Sequence, residues 1–235
     1  MKKTPFYVLI IIFVLAVTVL WLAGLANAKS NTTVIFNDGD FVSGWIDISG
    51  VTDDPFVPGQ GPGTSSFHGS SVHTNGGNPD SFRETTHTIT YGDRIYSGAL
   101  NTSAIYAPSN SGAIYSIDFS SDLIHPYPEG VSGWWLILEQ DGILYFAVRG
   151  LPFSKSTWES FTINGLGEQD FDTAPPKLEP NNEHPDFSAK GAPIIFGYIF
   201  TNDLGGPGTI TLSHGIDNWS IIVNPNQIFL PLIVR

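Results

Sequence analysis

Beyond residue 30 the apolar positions of this chain recur with a period of two. In residues 113–119, Ala113, Tyr115, Ile117 and Phe119 fall on one side, and Ser116 and Asp118 on the other. That alternation predicts a strand with one face buried. Residues 134–140 and 143–148 alternate in the same way around Asp141-Gly142, a dipeptide suited to a two-residue type I′ turn, so 134–148 reads as a hairpin. Adjacent Trp134 and Trp135 then point to opposite faces. Trp134 shares its side with Leu136 and Leu138 and is the core candidate; Trp135 lies with Ile137 and Glu139. Further strands are predicted at 33–36, 44–48, 87–91, 99–106, 157–163, 194–200, 209–212 and 216–223. No window keeps apolar residues at i, i+3, i+4 and i+7 for three turns, and Gly and Pro interrupt too often for long helices.

Two stretches depart from the pattern. Residues 52–82 are dominated by Gly, Pro, Ser, Asn and Asp, and residues 168–192 by Pro, Asn and acids. Both read as long loops, which in a compact domain are functional or disordered. With no internal repeat and no linker, the expectation is one all-β domain over residues 29–224, a sandwich or a barrel.

The ends carry different signals. Lys2 and Lys3 precede an apolar run at 6–25, and Ala26-Asn27-Ala28 closes it. Basic head, apolar stretch and small-x-small site together make a signal segment, predicted as a hydrophobic helix over residues 1–28. Twenty residues also suffice to span a bilayer, so retention as a membrane anchor through residues 6–25 is the alternative. Either way the domain is expected outside the cell, secreted or at its surface. The 207 residues after Ala28 are enough for one sizeable core. Loss of the two lysines moves the net charge from −12 to −14, a surface that repels nucleic acid and suits solubility or the collection of divalent cations. The absence of Cys excludes disulfides, thiolate chemistry and cysteine-ligated zinc. Residues 225–235 form an apolar tail, Ile228-Phe229-Leu230-Pro231-Leu232-Ile233-Val234 before Arg235. It resembles the FLPL-containing ends of secreted proteins from one bacterial phylum, which implies a sorting or attachment tag; the other reading is a last strand at a sheet edge.

The opening Asn37-Asp38-Gly39-Asp40-Phe41, followed by Gly44-Trp45, is similar to the N-G-D-F-E…G-W start of bacterial jelly-roll carbohydrate-binding modules. The closing Gly215-Ile216-Asp217-Asn218-Trp219-Ser220-Ile221 resembles the I-D-D-V-S end of those modules and of MAM and laminin-G-like sandwiches, and the resemblance implies an all-β, two-sheet antiparallel jelly-roll sandwich. Val42 stands where the family opening has Glu, so no metal ligand carries over to that position. Between these ends, Gly76-Gly77-Asn78-Pro79 and His184-Pro185-Asp186-Phe187-Ser188 look like secreted bacterial proteins without an assigned function.

No catalytic set emerges. Glu139-x-Asp141 and Glu168-x-Asp170 begin the E-x-D-x-x-E arrangement of sandwich glycosidases, but Leu144 and Thr173 replace its third acid. G-x-S-x-G and H-E-x-x-H are absent, and the six histidines are scattered. Binding is carried by aromatic residues, because sugars lay C–H faces on indole rings while neighbouring polar groups meet their hydroxyls. Trp135 and Trp158 are the candidate platforms; the alternative is that the tryptophans fill the core or cover its edge. Strand parity places Asp217 on the apolar side with Trp219, Ile221 and Val223. A carboxylate directed inward needs a cation or hydrogen-bond donors. Asp38 and Asp40 in the opening loop make a structural calcium site with Asp217 one solution, since calcium gathers several oxygens; hydrogen bonding of Asp217 to backbone is the other. The expected protein is a secreted or cell-surface module binding polysaccharide or a cell-envelope component. The alternatives are a structural or adhesive envelope protein and, last, a glycosidase or lyase.

Overall fold

A computed structural model describes residues 32–53, 65–125, 131–153, 156–174, 180–204 and 206–225. The chain divides into two units, Met1–Ser30 and Asn31–Arg235, and the described residues belong to the second. The signal segment and all of the apolar tail beyond Pro225 lie outside the described residues. Among the described residues no helix is long and apolar enough to cross a membrane.

The described residues form thirteen strands: β1 (Val34–Asp38), β2 (Trp45–Asp53), β3 (Ser66–Gly77), β4 (Asp80–Thr90), β5 (Asp93–Tyr106), β6 (Ile114–Ile124), β7 (Val131–Gln140), β8 (Ile143–Ala147), β9 (Leu151–Phe153), β10 (Glu159–Leu166), β11 (Phe171–Asp172), β12 (Ile194–Asp203) and β13 (Thr209–Pro225). A single α-turn, α1 (Pro108–Ser111), and a 3₁₀ turn at Glu168–Asp170 complete them. All pairings are antiparallel. One sheet has six strands in the order β10-β6-β13-β4-β3, with β1 also beside β13; the other has seven, β11-β8-β7-β12-β5-β2, with β9 beside β7. The chain crosses repeatedly between the sheets, as the jelly-roll reading expects.

Period-two alternation explains why the sheets face each other. Phe119, Trp134, Leu136, Leu138, Phe196, Tyr198, Phe200, Trp219, Ile221 and Val223 are buried in one core cluster between them. Trp134 is the core tryptophan of its pair, stacked on Phe119 with ring centroids 4.1 Å apart. Asp141 (φ 54°) and Gly142 (φ 78°) both occupy the left-handed region, so the predicted turn between β7 and β8 is present, with Gln140 opposite Ile143.

Three expectations are corrected. Residues 66–77 are a strand, not loop. As an edge strand β3 buries little, so it carries a polar ladder, Ser70 Oγ to Thr85 Oγ1 at 3.2 Å and His68 Nε2 to Thr88 Oγ1 at 2.7 Å, where an apolar alternation was sought. The strands predicted at 209–212 and 216–223 are one, β13. Tyr115 is 71% exposed rather than aligned with Ile117 and Phe119. The register between β6 and β13 slips there, with Asn224 opposite Ser116 but Pro225 opposite Ile114, which reverses parity.

Candidate functional site

The opening and closing sequences meet in the structure. Asp38 Oδ1 accepts from the backbone N–H groups of Asp40 (3.0 Å) and Phe41 (2.8 Å), holding the turn after β1, and its Oδ2 accepts from Trp45 Nε1 at 2.8 Å. Trp45 packs edge-on against Trp219 with centroids 5.1 Å apart. The aromatic-acid pattern at the two ends therefore ties β1 and β2 to β13.

Asp217 is 1% exposed but does not point where strand parity put it. Ile216 and its partner Leu123 face the core, so Asp217 and its partner Asp122 face outward. Asn218, at φ 49°, is an extra residue in a bulge, and Trp219 then returns to the core. Asp217 is covered by the β3–β4 turn: Oδ2 accepts from Asn78 N at 2.5 Å, and Oδ1 from Asn218 N at 2.6 Å. Burial raises its pKa, the two backbone bonds oppose that, and the charges of Asp122 and Asp40 add to it.

Around this point polar groups are cross-linked. Asn218 Nδ2 donates to Asp122 Oδ2 (2.7 Å) and to Asn78 O (2.5 Å); Asn78 Nδ2 donates to Asp122 Oδ2 (3.2 Å), and Ser160 Oγ donates to Asp122 Oδ1. An aromatic strip lies beside them. His73 stacks on Phe82 (4.7 Å, 11°), and Phe82 meets Trp158 edge-on (5.4 Å, 76°). Trp158, half-buried, donates from Nε1 to Gly76 O at 2.8 Å, and His73 Nε2 pairs with Glu84 at 2.7 Å. Gly215 leaves room for the strip: a Cβ there would come within 3.1 Å of both Phe82 and Trp158 and within 2.5 Å of Ile124.

The structure separates the two tryptophans singled out in the sequence. Trp158 lies on the outer face of the six-stranded sheet. Trp135 is only 5% exposed, on the outer face of the other sheet, in a cluster with Tyr96, Leu100, Ile137, Phe146 and Ile199. Its indole fills the space that Gly133 and Gly150 leave, and a Cβ at either would come within 2.0 Å of it. Beside that cluster is an apolar groove of about 160 Å³, with Ile48, Tyr96, Leu144 and Phe146 among its walls. Asp38 and Asp40 line a separate polar depression of about 470 Å³ with Asn218 and Trp219. Among the described residues no group of three or more His, Asp or Glu side chains is arranged to hold a metal. Sequence reasoning missed Phe82, His73, Asp122 and Asn78. The Gly76-Gly77-Asn78-Pro79 turn, which the sequence sets apart, joins these residues through Asn78 and through the Gly76 carbonyl.

No protein-family model matches the chain, and no curated protein matches it in sequence. Among solved structures it is similar to the family 11 carbohydrate-binding module of the cellulosomal cellulase Lic26A-Cel5E of Clostridium thermocellum, at 12% identity over 84% of this chain and 99% of that one, TM-score 0.48. A family 11 module from Clostridium thermocellum in complex with a β-1,3-1,4-mixed-linked tetrasaccharide matches at 12% identity over 82% of this chain and 98% of that one, TM-score 0.46. The CBM22-1 xylan-binding domain from Paenibacillus barcinonensis Xyn10C matches at 9% identity over 85% and 99%, TM-score 0.39.

Proposed function

We propose that this chain is an exported carbohydrate-binding module that engages a polysaccharide with the strip Trp158–Phe82–His73 on the outer face of its six-stranded sheet. One observation carries the reading: a half-buried indole set edge-on to a second ring, within one sheet face of Asn78, Asn218, Asp122, Ser160 and Glu84. Rings take the C–H face of a sugar, and amides and carboxylates take its hydroxyls. The carboxylates are already fixed by N–H and O–H donors, so little ordering is needed when a ligand arrives. Export rests on residues 1–28, and the native protein is expected to begin at Lys29, with an intact mass matching residues 29 onward. Recovery of the full chain in membranes after carbonate extraction contradicts cleavage.

Calcium remains part of the proposal in a narrower form. The charges of Asp40 and Asp122 act on Asp217, and a cation there would have to displace the N–H donors that now hold Asp38 and Asp217. The second reading, an adhesive envelope protein, is favoured by the apolar groove beside Tyr96 and Phe146. A glycan array probed with the native protein, together with a reducing-end assay, separates the readings. Binding without release of reducing ends supports the module; release of ends makes the protein an enzyme; retention on envelope fragments without glycan binding makes it an adhesin.

A further inference from the structure

Three histidines meet in the layer between the sheets, none of them part of the aromatic strip or its polar surround. His87 on β4, His214 on β13 and His125 just beyond β6 come from three neighbouring strands of the six-stranded sheet, and all three are buried. The rings of His125 and His214 are 4.4 Å apart between centroids, and those of His87 and His214 5.2 Å. The seven-stranded sheet meets them with neutral partners. Ser97 Oγ is 3.0 Å from His87 Nδ1, and His214 Nε2 donates to Asn202 Oδ1 at 2.7 Å. Phe200 stacks on His214 at 4.7 Å and 15°, while His125 Nδ1 donates to Ser213 O at 3.3 Å.

The charged groups named next, on the surrounding strands, have partners of their own. Arg94 on β5 makes a two-pronged bond to Asp203 on β12, Nε to Oδ1 at 2.5 Å and Nη2 to Oδ2 at 2.7 Å. Asp93 accepts from Ser65 N, Arg83 on β4 pairs with Asp47 on β2, Glu84 pairs with His73, and Asp122 on β6 faces outward to Ser160 and Asn218. Among the described residues, the charges that act on His87 and His214 include those of the neighbouring rings and, for His87, that of His68 on β3, itself bonded to Thr88. Among the described residues no three ligating side chains are placed to hold a metal.

We propose that the three histidines form an acid-operated latch, in which neutral imidazoles fasten the six-stranded sheet to the seven-stranded one and proton uptake releases that end of the sandwich. A cation formed here is shielded from water and lies beside two more imidazoles, so each proton taken up inside disfavours the next. Burial lowers His87 to about 4, assisted by His125 and His68 and opposed by Asn202; burial and the neighbouring rings lower His214 well below 6.5, and burial lowers His125. The opened state binds protons near pH 6.5, the ordinary histidine value. The latch is therefore fully closed above that pH and loses stability as pH falls from 6.5 towards 4. His87 alone reduces the closed-to-open ratio on the order of a hundredfold at pH 4.

The test is a pH titration of the native protein from 8 to 4, following imidazole proton shifts and amide hydrogen exchange at His87, Ser97, Asn202 and His214. The latch predicts that the three rings stay neutral until exchange accelerates, and that both changes occur together between pH 6.5 and 4. The H87Q/H214Q variant should then open at least one pH unit lower; if that variant fails to fold, the wild-type titration decides. Rings that titrate near 6.5 while exchange stays slow, or exchange that is flat across the range, overturn the latch. A zinc-induced loss of the titration at pH 7 overturns it in favour of a metal.

Discussion

Asp217 carries its carboxylate into a place from which water is nearly excluded, and its surroundings decide what replaces the water. Two backbone N–H groups do so in part. Because its folded pKa is raised, Asp217 favours the folded state most below about pH 3.8, and that contribution is lost as pH rises through the raised value. At neutral pH the charged group thus needs its donors or a cation. Asp217→Asn turns an NH₂ towards one of the two N–H donors and should lower stability by about 1–3 kcal/mol, read from urea unfolding. If calcium binds, millimolar Ca²⁺ raises the wild-type Tm and leaves the variant unchanged, as binding linkage requires. An equal response in both removes Asp217 from any calcium site. That Asp217 is special was legible in the sequence, from a single acid in an apolar strand. Its direction was not, because a one-residue bulge at Asn218 leaves no signature in a hydrophobic pattern.

Among the elements, the β7–β8 hairpin is where sequence and structure agree most closely, since Asp-Gly at a two-residue turn is a local signal that needs no tertiary context. A Cβ at Gly142 would meet open space, so Gly142→Val measures backbone conformation alone. We expect a loss of about 1–2 kcal/mol, seen as a lower Tm, because a β-branched residue resists the left-handed region. An unchanged Tm contradicts the I′ geometry. β3 was illegible for the opposite reason. It is an edge strand held by hydroxyl and imidazole contacts, and its Ser-, Gly- and Asn-rich composition looks like loop. The described part of residues 168–192 is tied down by polar contacts. Asp172 accepts from the backbone of Ala174, Asn181 and Asn182, and Gln140 bonds Asp186 and Ala192. Burial works against the Asp172 charge, yet these three donors and His184 hold its pKa below the usual value.

At the scale of the whole described domain, alternation made an all-β fold legible, because facing sheets impose period two on the strands that form them, while the choice of a sandwich over a barrel came from the resemblance of the two ends. The candidate site was half legible. Trp158 stood out as an indole, but Phe82, His73 and Asp122 come to it from three other strands and Asn78 from a turn, pairings that no local pattern encodes. The central claim is that this assembled strip binds polysaccharide, and calorimetric titration of the array's preferred glycan into wild-type and Trp158→Ala protein tests it most directly. We expect at least a tenfold weaker affinity for Trp158→Ala with an unchanged unfolding midpoint, and wild-type affinity for Trp135→Phe, whose ring is covered on the other sheet. Equal affinity for wild type and Trp158→Ala, or loss of binding only in Trp135→Phe, would contradict it.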